Sequence, residues 1–430
     1  MGLTGMIGAG ILTACGGSST NNAVVLVTGN TTPGVYYVHS VGIKNTTAYT
    51  WGYNGQGQLG NASYTNSSIP VALTGLASIV GISAGANHTL AVDATGKVQA
   101  WGYNSNGQLG NATIVTNPSP IAVAVNNSTP PTLLTNITSV AAGGLHSLAL
   151  DATGGVWAWG SNAYMQLGQG NNSTVDSTYA VKVPDPTTGS QLTNVVALAA
   201  GGGHSIVLKN DGTVWTWGNN GYGQLGNNFG NSGSTMNSSV PVRVVIDTLN
   251  TPLTNVIAIA AGGSFSVAVR ADGTVWTWGN NDFSQLGDRI LTGLSGAANS
   301  YAVKLASFDV VGNIAGLPQA VAVAGGVSHA LALDSTGKIY AWGLNANGQL
   351  GNGTLTNTAA AVKVITGPTG IPLDATVTKI VAIGNHSLAF GTSLITGAIP
   401  RSWSWGGNSF GQLGNNSVID STLPVAVTGY

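Results

Sequence analysis

The sequence Trp-Gly-x-Asn-x-x-Gly-Gln-Leu-Gly, or a close variant of it, occurs seven times, starting at Trp51, Trp101, Trp159, Trp217, Trp278, Trp342 and Trp405. Successive copies lie 50 to 64 residues apart, a period too long for a helical or leucine-rich solenoid but right for one four-stranded propeller blade. A unit of this size cannot hide its own apolar face, so seven of them make one closed domain where 430 residues would otherwise allow two or three. The absence of Glu, the 64 Gly and the many Asn, Thr and Ser residues deplete helix formers and enrich turn formers. The expected class is all-β, a seven-bladed β-propeller with four-stranded blades.

Each unit repeats the same grammar. An apolar strand runs into a glycine pair and a histidine, as in Ala199-Ala200-Gly201-Gly202-Gly203-His204. A tight turn, the Trp-Gly strand, the Gly-Gln-Leu-Gly loop and a strand of the type Val240-Pro241-Val242 follow. Gly96, Gly154, Gly212, Gly273 and Gly337 stand five residues before their Trp, with Asp93, Asp151, Asp211, Asp272 and Asp334 just ahead. That is hairpin chemistry: Gly supplies φ > 0 and Asp caps the turn.

The same regularity argues against catalysis. His39, His88, His146, His204, His329 and His386 all fill one repeat position, which Phe265 fills in the fifth unit. Equivalent positions on successive blades stand apart around the axis, whereas metal ligands and catalytic bases must converge. A packing and hydrogen-bonding role is expected. Four further tryptophans, Trp157, Trp215, Trp276 and Trp403, lie two residues before a motif Trp, on the same strand face, and should pack between blades. Two copies of the loop satisfy Gly-x-Gly-x-x-Gly, but without a following helix they carry no nucleotide-binding signal. No cofactor or metal is expected. Twelve Lys and Arg against 13 Asp also lack the basic cluster that nucleic acid binding needs.

At the N-terminus, Leu12-Thr13-Ala14-Cys15-Gly16 follows a short apolar stretch and contains the one Cys. It resembles the lipobox of bacterial lipoproteins, although residues 1–10 carry no Lys or Arg. Residues 1–15 are read as a lipoprotein-type signal with acylation at Cys15, residues 16–34 as a polar tether and entry segment, and 35–430 as the propeller. No apolar run is long enough for a membrane-spanning helix, so membrane contact is expected through the lipid alone. The implied location is the cell envelope, at the outer membrane or cell surface, or else secretion.

The pairing of Ala-Gly-Gly-x-His-Ser with the tryptophan motif about 13 residues later resembles the regulator of chromosome condensation repeat, across 35–430. The resemblance implies the seven-bladed propeller. It implies function less directly: the founder is a nucleotide exchange factor whose loop and tail features match no residue here, and other members are protein-binding platforms, including a secreted bacterial inhibitor that grips its target with aromatics on one face. Here the fifth residue after each Trp is aromatic in four units, Tyr164, Tyr222, Phe283 and Phe410. These four are the candidate partner-binding residues. A monomeric, non-catalytic scaffold with an unidentified protein partner is expected. The alternatives are an envelope polysaccharide as ligand and an enzyme with its site at the central mouth. Long segments at 126–135, 227–239, 288–300 and 391–401 are expected to mark the binding face. The ring is expected to close by pairing the C-terminal Leu423–Val427 strand with the N-terminal strands in one blade.

Overall fold

The structure, a computed structural model, describes residues 38–113, 119–127, 132–229, 236–288, 298–305, 319–365, 375–393 and 400–430. Its strands form seven antiparallel sheets in chain order, the blades of an all-β propeller. Blades 2 to 7 have four strands each and span residues 79–124, 137–182, 195–243, 256–304, 320–363 and 375–426. Blade 1 shows three strands, His39–Lys44, Thr47–Gly52 and Ser67–Ala72, among the described residues.

Blade 4 shows the pattern. The inner strand Val195–Ala200 pairs with the histidine strand His204–Lys209, that with the tryptophan strand Val214–Gly218, and that with the outer strand Ser238–Arg243. Spatial order follows chain order. The glycine–histidine turns and the Gly-Gln-Leu-Gly loops therefore emerge on one face, here the loop face. The Asp-Gly hairpins and the links between blades emerge on the other, the hairpin face. Proline in the outer strands of four blades, at 70, 120, 241 and 424, blunts exposed sheet edges by removing donors. The five predicted hairpin glycines have φ between 77° and 83°, and Asp93 Oδ1 accepts from the Thr95 and Lys97 backbone N–H groups.

This arrangement corrects two expectations. First, the ring does not close by strand exchange. The last strand, Ser421–Ala426, pairs with its own tryptophan strand, Trp403 opposite Ala426 and Gly406 opposite Ser421. A repeat period is unchanged by cyclic permutation, so it cannot show where a blade begins. The long Gly-Gln-Leu-Gly loop turns back within a blade, and the crossover lies after the outer strand. Second, the long segments do not share a face. Segments 227–239 and 288–300 join a tryptophan strand to an outer strand on the loop face, whereas 126–135 links two blades and 391–401 is a hairpin, both on the opposite face. Parts of all four lie outside the described residues, as do Cys15 and the whole of 1–34.

What closes the ring is a joint repeated at every seam. Each motif Trp is fully buried, and its Nε1–H donates to the backbone carbonyl of the motif Gln in the preceding blade. Trp101 reaches Gln58 O at 2.9 Å and Trp217 reaches Gln166 O at 2.8 Å. Trp51 of blade 1 reaches Gln412 O of blade 7 at 2.9 Å, so the closing seam is bonded like the rest. The motif's last Gly, at φ 63–67° in every blade, packs on the next blade's Trp; a Cβ on Gly60 would sit 2.6 Å from the Trp101 indole nitrogen. Tyr430 adds to the closing seam, meeting Tyr49, Trp51 and Phe390 and donating to the Ile43 carbonyl oxygen at 2.9 Å.

Candidate protein-interaction surface

The histidines complete the joint. His88 Nε2 lies 3.0 Å from Ser147 Oγ of the next blade, and that hydroxyl donates to the Gln108 carbonyl oxygen at 2.9 Å. Since the hydroxyl proton is committed to the carbonyl, the imidazole must be the donor, protonated at Nε2. The same chain runs from His39 to Thr89, His146 to Ser205, His204 to Ser266, His329 to Ser387 and, across the closing seam, His386 to Ser40. Burial holds these side chains neutral, with pKa values lowered to about 3, or about 4 for His204. The glycine three residues ahead of His88, His146, His204 and His329 is required by close approach, since a Cβ on Gly85, Gly143, Gly201 or Gly326 would collide with the imidazole.

The exception follows the same logic. Where Phe265 replaces His, the next blade carries Ala330 in place of Ser, and Gln285 O accepts from Trp342 alone among the bonds of this joint. Both partners of the missing bond are apolar, so no buried polar group is stranded. The histidines are thus structural, as their regularity suggests, and fully enclosed. Sequence reading missed their serine partners, although Ser, or Thr in one case, follows His at five of the six positions.

Inside each loop the motif Asn is a second organiser. Asn54 Oδ1 accepts from the Leu59 N–H, and its Nδ2 donates to the Ser63 and Thr65 carbonyl oxygens. The motif Gln folds inward as well, with Gln58 Oε1 accepting from the Gln56 N–H. Every motif residue is therefore spent on the loop or the seam. The fifth residue after Trp is not, and its side chain lies where the loop meets the next blade: the Tyr164 ring and the Asn219 side chain both flank Gly203 of blade 4.

The structure separates the four candidate aromatics into two kinds. Tyr164, Tyr222 and Phe283, from blades 3, 4 and 5, are 48%, 45% and 37% exposed and form an arc on the loop face. Phe410 is half-buried and packs edge-on against Tyr53 of blade 1, ring centroids 5.0 Å apart. Its sequence context is the same; its cover comes from the far end of the chain.

Further exposed apolar side chains escaped the sequence reading: Tyr64, Val175, Phe229, Met236, Leu355, Val418 and Ile419. All lie between a tryptophan strand and its outer strand, hence on the loop face. Among the described residues, only Leu133, Leu249 and Ile365 of this kind stand in the links of the hairpin face, with Ile69 on an outer strand. The half-buried tryptophans at the hairpin end are a different matter, because cations cover their rings: Lys182 on Trp157, Lys209 and Arg243 on Trp215, Arg270 on Trp276. They are not the open stacking platforms that a sugar needs.

Comparison with known proteins agrees with this architecture. The chain is 28% identical to the human E3 ubiquitin-protein ligase HERC2 over 358 residues, 80% of this chain but 6% of HERC2. It is 28% identical over 384 residues to the Arabidopsis thaliana ultraviolet-B receptor UVR8, 87% of this chain and 76% of UVR8. Among solved structures, human WBSCR16 aligns with a TM-score of 0.72 at 24% identity, covering 89% of this chain and 94% of its own. Prp20p of Saccharomyces cerevisiae aligns with a TM-score of 0.68 at 22% identity, covering 89% and 85%. These two structures share the fold. Residues 47–92, 95–150, 153–208, 211–269 and 336–390, more than half of the chain, match the pattern described as the Regulator of chromosome condensation (RCC1) repeat, and the chain belongs to that family.

Proposed function

We propose that this propeller is a non-catalytic scaffold that docks a protein partner on its loop face, held at the cell envelope by a lipid on Cys15. One observation carries the docking: among the described residues, ten large apolar side chains are exposed on the loop face, three of them aromatics at the same repeat position in consecutive blades. Surfaces of soluble proteins seldom gather apolar groups on one side without a use, and rigidly mounted aromatics are the usual anchors of protein interfaces. Yeast Prp20p, which shares this fold, binds Gsp1p and histones. The anchor rests on the Leu12-Thr13-Ala14-Cys15 sequence alone; a palmitate analogue should label the parent and not Cys15→Ser.

The docking is tested by recovering a partner from envelope extract and measuring its affinity for a Tyr164→Ala, Tyr222→Ala, Phe283→Ala triple variant. Interface anchors of this kind contribute about 2 kcal/mol or more, so the triple variant should lose at least about thirtyfold in affinity. An unchanged affinity with unchanged folding would sink the proposal.

A further inference from the structure

Among the described residues, charge divides between the two faces as apolar surface does. Eleven of the twelve Lys and Arg residues are described. Lys44, Lys182, Lys209, Arg243, Arg270, Lys304 and Lys363 end strands that run from the loop face to the hairpin face; Lys97 and Lys338 lie in hairpins. Lys379 and Arg401 belong to the early parts of strands that start from the hairpin face. Thus no described cation stands on the loop face, where Asp176, Asp282, Asp288 and Asp420 lie.

The hydrogen-bond partners of three of these carboxylates are uncharged amides. Asp176 accepts from the Asn162 N–H and Asn106 Nδ2, and Asp420 from the Asn408 N–H and Asn347 Nδ2. Asp282 is exposed and accepts from Asn280 Nδ2. Contrast Asp185 on the hairpin face, 3.6 Å from the Lys209 ammonium.

Asp282 also sits within the aromatic arc. It directly precedes Phe283, and its partner Asn280 occupies in blade 5 the place that Asn219, which flanks Gly203 together with the Tyr164 ring, occupies in blade 4. That repeat relation sets Asn280 toward Tyr222 as Asn219 is set toward Tyr164, with Ser264 where blade 4 has Gly203. The repeat relation thus sets an acidic group near two exposed aromatics, on a face where none of the described residues is a cation; Arg289, which follows Asp288, lies outside the described residues.

We infer that the loop face recognises a protein segment presenting Lys or Arg next to large apolar side chains, with the cation seated at Asp282 between Tyr222 and Phe283. A guanidinium or ammonium there gains both the carboxylate and the negative faces of the rings, while an acidic partner meets like charge from Asp176, Asp282, Asp288 and Asp420. This inference rests on the docking proposed above and specifies its chemistry.

The test is a displayed library of random 12-residue peptides selected on the 430-residue chain, each enriched peptide being titrated against Asp282→Asn and against Tyr222→Ala/Phe283→Ala, with folding checked by circular dichroism. The expected peptides carry Lys or Arg within two residues of a large apolar residue, and lose binding on the aromatic variant. Asp282→Asn should weaken them about fivefold at low salt, the scale of one partly exposed ion pair, with the difference fading at high salt. Peptides that depend on the aromatics but lack a cation, or are indifferent to Asp282→Asn, overturn the inference and leave the docking face standing. A selection that yields no peptide dependent on Tyr222 or Phe283 overturns both.

Discussion

The joint between blades 5 and 6 offers a direct measure of what the histidine contributes elsewhere. There Phe265 and Ala330, both fully buried, replace the His and Ser of the other seams. Phe265→His alone places an imidazole donor where no hydroxyl awaits it, and an unsatisfied buried donor costs about 1–3 kcal/mol. Ala330→Ser alone can donate to Gln285 O, as Ser266 does to Gln224 O at 3.1 Å, so its cost should stay below about 1 kcal/mol. The double variant recreates the whole chain, imidazole to hydroxyl to carbonyl. Its coupling energy should be about 1–2 kcal/mol in favour of the pair, within the range found for residues in direct contact. Urea unfolding of the parent, both single variants and the double variant at pH 8, where every imidazole is neutral, closes the cycle. If the single effects add within about 0.5 kcal/mol, the limit for independent sites, the hydrogen bond does not hold the seam and the argument fails.

Two more outcomes can be measured. A histidine with a depressed native pKa keeps its full stabilisation above the unfolded value of about 6.5 and loses roughly 1.4 kcal/mol per pH unit as pH falls from there toward the native value. With six such groups lowered to about 3 or 4, the domain should unfold cooperatively between about pH 6 and 4, and His204→Phe with Ser266→Ala should flatten that slope; tryptophan fluorescence against pH checks both, and full stability at pH 4 would contradict them. Tyr430→Phe, which deletes the bond to Ile43, should cost about 1 kcal/mol, and Tyr430→Ala about 3–5 kcal/mol by opening a cavity against Tyr49, Trp51 and Phe390; a melting temperature equal to the parent's for the Ala variant would show that the closing seam does not need this side chain.

Period and punctuation made the propeller legible from the sequence, because each motif residue answers a local demand that the next unit repeats. Gly212 turns a hairpin, Trp217 fills a seam and Asn220 ties its loop, whatever else the chain contains. Blade phase was not legible, since a repeat looks the same from any starting residue and only the pairing of Trp403 with Ala426 reveals which strand ends a blade. The candidate surface was legible in part for a related reason. Tyr222 and Phe410 occupy the same motif position, but exposure depends on the neighbour's loop, and Tyr53 lies more than 350 residues before Phe410. The segregation of charge was present in the sequence as Lys or Arg at strand ends, yet it acquires meaning only when strand direction is known.

The seams bear on how such a surface can change. At six of the seven, the linkage ends on a main-chain oxygen held by an indole and a hydroxyl, and at the seventh by an indole alone, all of it beneath the loops. The fifth residue after each tryptophan is Gln, Asn, Tyr, Tyr, Phe, Asn and Phe around the ring without disturbing any of these linkages. Architecture and recognition are thus written in separate alphabets within one short stretch of chain, so a descendant of this protein can exchange what it grips, blade by blade, while its frame remains the same.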